Sequence, residues 1–499
     1  MRTNSWIEYM DLRARDLQLG IRAPESASRS NASHRLRRPQ NRIDLVFFSD
    51  GYLASEKSKF LNDAGTFAKD ITTNATFQSV QPLMNFWAAF TASKQSGVGK
   101  GGKALDTVYQ LYRDGTELRG VYSNKSDVGS AACASLGAQC DYPVLLGNDP
   151  LYGGLGGVPT IITASPVNGP SILRHELGHS IIKIGEEYDG QPVSGYFGIN
   201  AAKTNATPVS WAHWLTDPAE ATKPRQQRNV MPIQQYAWAL LNMTTPWAAN
   251  FVSSGTFSRH LVRISISGVP KASDLKVEVD GVDLGWTPRD GIGMDRYFYD
   301  VYRDGGLTGG THEVKFTLRN ASLVGSAQMC SVEVLEFGDE NEFIDKPGYV
   351  GLYPTYSSEN KTTYRPTNED CLMRQVTTST YCPVCLEGLW TTLLSRVSLI
   401  DNITESSCSS SSVTLTTNLV PLAQFRKPKP ISGETYSIQW LKNGVAVKEF
   451  ANKTSVVVAK PGGNGNYTVD VKLSTPEIRL DRNGVTEDRA VHVVSAACT

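Results

Sequence analysis

The segment His175-Glu176-Leu177-Gly178-His179 sets two imidazoles four residues apart with a carboxylate beside the first. On a helix each residue advances about 100°, so His175 and His179 lie one turn apart on one face and can meet one ion. Glu176 is then placed to take a proton from a water held by that ion and to return it to a leaving amine. Zinc suits imidazole and carboxylate ligands, brings the pKa of its water towards neutrality and keeps one position open in catalytic sites. The chain has only seven histidines, and at this composition the pattern arises by chance about once in 200 such sequences. Ile172, Leu173, Leu177, Ile181, Ile182 and Ile184 flank it and predict a buried helix. Buried histidines beside a buried glutamate need a charge partner.

Zinc on two histidines needs a third protein ligand, and Glu186 and Glu187 are the candidates. A straight helix would carry Glu186 on the histidine face but about 10 Å too far along the axis, so a bend is required. Gly185 makes that bend cheap and leaves either glutamate able to reach the ion. Tyr188 is either a donor to an oxyanion or a packing residue. His213, His260, His312 and His492 show no ligand spacing, and Met231 and Tyr236 receive no role.

The elements that position these residues are read from pattern. Residues 1–40 are polar and arginine-rich, a leading tail or pro-segment. Ile43-Asp44-Leu45-Val46-Phe47-Phe48 predicts a strand buried on both faces, and Phe60, Ala64, Phe67, Ala68 and Ile71 mark one face of a helix. Further apolar runs at 85–90, 142–146 and 159–163 extend this into a mixed α/β unit over 41–255. Tyr152-Gly153-Gly154-Leu155-Gly156-Gly157 lacks the spacing and lysine of a phosphate-binding loop and is expected to be a mobile turn. Alternation over 256–340 predicts an inserted β-sandwich, after which 341–404 closes the catalytic domain. Beyond the serine-rich linker Ser406 to Ser412, residues 413–499 form a second sandwich. Its Trp440 and Tyr467 segments resemble the buried-tryptophan and tyrosine-corner strands of immunoglobulin-like domains.

Among the 499 residues, Lys plus Arg equals Asp plus Glu at 49 each, so no global field favours nucleic acid. No apolar run of 18 residues occurs, which predicts no membrane span. Met1 to Met10 lacks the apolar stretch of a secretory signal, which is expected to lie outside this sequence. Ten asparagines nevertheless stand in glycosylation sequons: Asn31, Asn74, Asn124, Asn205, Asn242, Asn320, Asn360, Asn402, Asn452 and Asn466. Roughly four are expected by chance, so the excess predicts N-linked glycans on a secreted chain. Eight cysteines fit an oxidising compartment. Cys133 with Cys140 is expected to close a small loop, and Cys408 with Cys498 to staple the last module. Cys382-Pro383-Val384-Cys385 has the spacing of half a zinc knuckle without the other half, so a disulfide from Cys371 to one of the two is expected.

A family resemblance joins these blocks. HELGH with the trailing Gly185-Glu186-Glu187-Tyr188, the early Phe48-Ser49-Asp50-Gly51-Tyr52 and the Tyr152-Gly153-Gly154 turn resemble the IgA-peptidase-type zinc metallopeptidases. Tyr364-Arg365-Pro366-Thr367-Asn368-Glu369-Asp370-Cys371-Leu372-Met373-Arg374 and the later Cys-x-x-Cys fit the same pattern. That family usually shows Asp-Glu-Tyr where this chain has Glu186-Glu187-Tyr188. The resemblance implies an α/β (α+β) zincin-like catalytic domain, a Zn2+ cofactor, a protein or peptide substrate and Met373 either as a floor beneath the metal or as core packing. The expected activity is that of a secreted endopeptidase in which zinc-bound water attacks with Glu176 as general base. The competing expectation is a catalytically lapsed zincin scaffold that binds extracellular protein or glycan, against which the intact Glu176 argues; a small-substrate amidase is a third.

Overall fold

The computed structural model describes residues 8–11, 41–114, 120–203, 208–222, 224–407, 412–460 and 462–495. Its centre is a six-stranded sheet in the order Glu8–Asp11, Met84–Phe90, Ile43–Asp50, Tyr142–Gly147, Thr160–Thr163, Gly154–Leu155. The four inner strands run parallel and the two outer ones antiparallel to their neighbours. Glu8–Asp11 lies within the stretch expected to be a leading tail, so at least these four residues belong to the sheet. Because strand side chains alternate, Leu45 and Phe47 enter one core and Val46 and Phe48 the other. The Lys57–Thr73 helix covers the first face with Phe60, Ala64, Phe67, Ala68 and Ile71, as their spacing predicted. The result is a mixed α/β fold, rich in strands and poor in helices.

The inserted unit is two sheets around a core of its own. One holds Ala239–Leu240, Gln328–Phe337, Arg259–Ser267 and Tyr297–Arg303, with Asn229–Gln235 also on Gln328–Phe337; the other holds Trp247–Ser253, Gly310–Leu318, Leu275–Val279 and Val282–Asp283. It begins near residue 229, not at 256. Asn229–Gln235 carries Pro232 at its centre and side-chain amides at both ends, which hides a strand in the sequence. It is tolerated because it pairs only with Gln328–Phe337, across an irregularity that falls opposite Met231 and Pro232.

The C-terminal unit also starts earlier than expected. Ile400–Glu405 pairs antiparallel with Ser412–Leu419, so the serine-rich stretch connects a hairpin rather than linking two domains. Three strands then face the four of Val445–Ala446, Thr435–Lys442, Gly465–Ser474 and Glu487–Val494. Trp440 is fully buried and donates to the Lys453 carbonyl at 2.8 Å, while the Tyr467 hydroxyl donates to the Gly463 carbonyl at 2.9 Å. This unit has no separate core: its apolar residues are continuous with those beneath the central sheet and around the Pro383–Leu394 helix.

The Cys133–Cys140 disulfide is present. Cys371, Cys382 and Cys385 are instead free thiols, with 3.7 Å between the sulfurs of Cys371 and Cys385, so the disulfide expected there is not formed. Cys408 and Cys498 lie outside the described residues. None of the eight sequon asparagines among the described residues is buried; Asn31 and Asn205 lie outside them. No helix among the described residues is long and apolar enough to cross a membrane.

Candidate active site

Gly169–Leu177 is helical with Pro170 in its first turn, where a missing N–H costs nothing. The inserted unit grips its start: Asp295 accepts from the Asn168 side-chain amide at 2.7 Å and from the Ser165 hydroxyl at 2.8 Å. Arg174 anchors the helix to Asp70 at 2.8 Å, and the Tyr381 hydroxyl donates to the Arg174 carbonyl. The helix widens into a π-turn over Gly178–Ile182, a form frequent at functional sites. It stops at Lys183, which takes the left-handed conformation with φ 60°.

The chain therefore turns back at Lys183, two residues before the glycine predicted to make the bend. Gly185 serves a different purpose. A Cβ there would lie 2.3 Å from the Gly195 carbonyl oxygen and 2.5 Å from the Phe197 amide nitrogen. Its absence lets Gly185 N–H donate to Phe197 O at 2.8 Å and Glu186 N–H to Gly195 O at 3.0 Å. Extended against that segment, Glu186 and Glu187 point to opposite sides.

Glu186 faces the histidines. Its two carboxylate oxygens lie 3.2 Å from His175 Nε2 and 3.0 Å from His179 Nε2, and the two Nε2 atoms are 3.3 Å apart. Each ring points its Nδ1 at a backbone carbonyl, His175 at Leu372 (2.9 Å) and His179 at Ile184 (2.8 Å). Carbonyls only accept, so Nδ1 carries the hydrogen and Nε2 keeps a lone pair. Neutral rings thus bring two nitrogen lone pairs and a carboxylate to one point, and doubly protonated rings would set two like charges against each other. Glu186 Oε2 is buried and takes no hydrogen bond. A divalent cation removes the conflict in either form, and two imidazoles with one carboxylate are a donor set that suits zinc with one position open.

The electrostatics agree. Burial opposes charge on both imidazoles, but the Glu186 carboxylate outweighs it, raising His175 above its ordinary value and His179 to about 9. Burial likewise works against ionised Glu186, yet the two imidazoles hold it well below the usual carboxylate range. All three favour positive charge at the shared point. Glu176 differs. Burial raises its pKa against the lowering effect of the histidines, which makes its carboxylate a stronger base. Glu176 has a side-chain oxygen within 4.8 Å of ligand atoms of both histidines.

Glu187 turns away. Its Oε1 accepts from the Asn200 amide at 2.9 Å and lies 3.4 Å from Cys385 Sγ, in a fully buried setting. Met373 packs directly under the helix, since a Cβ on Gly178 would lie 2.6 Å from its sulfur. Its backbone carbonyl also accepts from Glu187 N–H at 3.1 Å. The glycine run expected to be a mobile turn is instead a close-fitting one. A Cβ on Gly154 would meet Ile172 at 2.4 Å and the Glu176 carboxylate at 3.0 Å, and one on Gly156 would meet His179 at 2.8 Å. Gly154–Leu155 forms the outermost strand of the sheet beside Glu176.

These residues open into a cleft of about 740 Å³ whose other wall belongs to the inserted unit. Tyr188 lines it, and burial keeps its phenol protonated well beyond the usual range. Opposite stands Arg296, its guanidinium 4.6 Å to 4.8 Å from the rings of Trp238, Phe298 and Tyr152. Tyr236, given no role by the sequence, lines the same wall and donates to Glu333 at 3.1 Å. Nothing in the local sequence marks these wall residues; the only hint is an aromatic and an arginine on turns flanking sandwich strands. His213, His260, His312 and His492 pair elsewhere, with Glu387, the Gly305 carbonyl, Asp280 and Glu405 respectively.

Among solved structures, the chain is similar to the rat CD45 extracellular region, domains d3-d4 (19% identity, TM-score 0.13), covering 19% of this chain and 48% of that one. It is also similar to the sugar-binding EclA C-terminal domain (12% identity, TM-score 0.14, 22% and 77% covered). A third is the GH2 beta-galacturonidase from Eisenbergiella tayi bound to galacturonate (11% identity, TM-score 0.14, 50% and 34% covered). At TM-scores this low the likeness supports no statement about fold or chemistry. A comparison with curated proteins finds no match. The informative match is to a family model described as IgA Peptidase M64, over residues 36–233, which contain His175, Glu176, His179, Glu186 and Glu187. Over that region, less than half of the chain, the sequence matches the IgA peptidase M64 family of metallopeptidases.

Proposed function

We propose that the protein is a secreted zinc-dependent endopeptidase with a zincin-like catalytic domain and an immunoglobulin-like C-terminal sandwich. His175, His179 and Glu186 would hold the metal. The observation that carries this reading is the convergence of their three lone-pair donors within 3.3 Å of one another. Bound there, zinc supplies an acidified water and a Lewis acid for the scissile carbonyl. Glu176 takes the proton of the attacking water on its carboxylate and passes it to the departing amine nitrogen. Gly154–Leu155 offers the unpaired backbone groups of an edge strand, to which an extended peptide can add. The stack of Arg296 on three aromatic rings fixes the far wall. Secretion is supported by the disulfide and by the accessible sequon asparagines.

Protein exhaustively treated with a strong chelator is expected to lose hydrolysis of a denatured protein such as casein, and stoichiometric zinc to restore it. Activity that survives verified metal removal would discard the reading. A second expectation follows from the tight seat of Gly185. Gly185→Ala must push Glu186 off the imidazoles, weakening zinc at this site about 10–100-fold, the range found when a ligand's support is lost. Competition against a chromophoric chelator measures it, and an affinity equal to wild type would show that Glu186 is not positioned by that contact.

A further inference from the structure

Among the described residues a second group of metal-ligating side chains stands on the other side of the same chain segment: Glu187, Cys371, Cys382 and Cys385. Their ligand atoms all lie within 4.8 Å of one another, and none of the four residues is more than 1% exposed. Two of the distances between donors come close to those of a filled tetrahedron. With Zn–S near 2.3 Å and Zn–O about 2.0–2.2 Å, tetrahedral geometry sets S···S at about 3.8 Å and S···O at about 3.5–3.7 Å. The Cys371 and Cys385 sulfurs are 3.7 Å apart, and Cys385 Sγ lies 3.4 Å from Glu187 Oε1.

Three further observations point the same way. Glu187 Oε2 is buried without a hydrogen bond, and a buried polar oxygen is costly until something pairs with it. The cluster holds three cysteines, so a disulfide would leave one thiol idle beside that carboxylate, whereas one ion uses all four groups. Cys382 caps the Pro383–Leu394 helix and Cys385 lies in its first turn, with Cys382 N–H donating to Cys371 Sγ at 3.4 Å. Backbone N–H groups at a helix start stabilise negative sulfur.

We propose that Cys371, Cys382, Cys385 and Glu187 bind a structural zinc ion, separate from the metal held by the histidines. All four positions are taken by protein, so the site is closed and does no chemistry. Its effect is mechanical. It clamps Glu187 from behind and thereby fixes the extended segment that presents Glu186 to the histidines.

The test uses full-length protein purified in zinc without chelator. The variant His175→Ala/His179→Ala is expected to keep one equivalent of zinc, with X-ray absorption showing sulfur neighbours at about 2.3 Å. Adding Cys371→Ser/Cys385→Ser should remove that equivalent. In wild-type protein denatured in chelator, alkylation without reductant should reach Cys371, Cys382 and Cys385. The last measurement keeps the proposal falsifiable if the cysteine variants do not fold. A folded double-histidine variant free of zinc, a zinc signal without sulfur, or a disulfide joining Cys371 to Cys382 or Cys385 would each overturn the proposal. None of these outcomes depends on whether the histidine site holds metal.

Discussion

Glu176→Gln is expected to lower kcat for a peptide substrate about 10³-fold, within the 10²–10⁴ range that general acid–base catalysis supplies. The substitution keeps the shape of a side chain that fits between the helix and the backbone of Gly154 and Gly156, so packing is preserved. Zinc content should be unchanged, because the metal is assigned to His175, His179 and Glu186. KM should move little, since the carboxylate acts on the water rather than on the bound chain. What distinguishes this expectation from mere damage to the site is the burial-raised basicity of Glu176: an amide cannot accept the proton at all. Undiminished turnover in a zinc-loaded Glu176→Gln preparation would remove Glu176 from the mechanism and revive the lapsed-scaffold alternative.

The second large effect lies beneath the cleft. Arg374 is fully buried, with Asp189 at 2.5 Å and Glu369 at 3.1 Å, and it also donates to the Glu187 carbonyl at 3.1 Å. Arg263 of the inserted unit reaches the same Glu369 at 2.7 Å. Arg374→Leu strands the buried Asp189 carboxylate and leaves Glu369 with Arg263 but without its second guanidinium, a change of the kind that costs about 3–5 kcal/mol. Urea unfolding at neutral pH should show it as a lower transition midpoint.

Acid offers a check on the cause. Burial works against ionised Glu369, but Arg263, Arg374 and Arg365 outweigh it and hold the group down at about 2. A folded-state value below the unfolded one, near 4.3 for glutamate, gives stability that is complete above the latter and lost as pH falls towards the former. Removing Arg374 raises the folded value, so the penalty should shrink as pH drops from about 4.3 to about 2. A penalty below about 1 kcal/mol, or one that does not change with pH, would show that this network does not work as described.

The parts of the site legible in the sequence are those whose geometry is local. His175, Glu176 and His179 follow from helical spacing alone, and Phe60, Ala64, Phe67, Ala68 and Ile71 pack as their periodicity predicted. The choice between Glu186 and Glu187 was not legible, because it depends on a reversal at Lys183, and lysine carries no signal for a left-handed turn. Gly185 was misplaced for the same reason: its lack of a side chain reflects a neighbour ten residues on, not its own conformation. Cys371, Cys382 and Cys385 looked like an incomplete motif because their fourth companion, Glu187, stands far back in the chain. Asn229–Gln235 escaped notice because an edge strand tolerates the proline and polar residues that a central strand would not.

The undivided core that joins the C-terminal sandwich to the catalytic region has a consequence for how the molecule can come apart. Trp390 and Glu387, on the helix that packs against the π-turn, are held from the far side by Glu477 and by the backbone amides of Arg479 and Leu480. Trimming the chain after residue 400 would therefore not liberate an accessory module. It would strip the backing from the wall on which the histidine turn rests, so the last hundred residues belong to the foundation of the site.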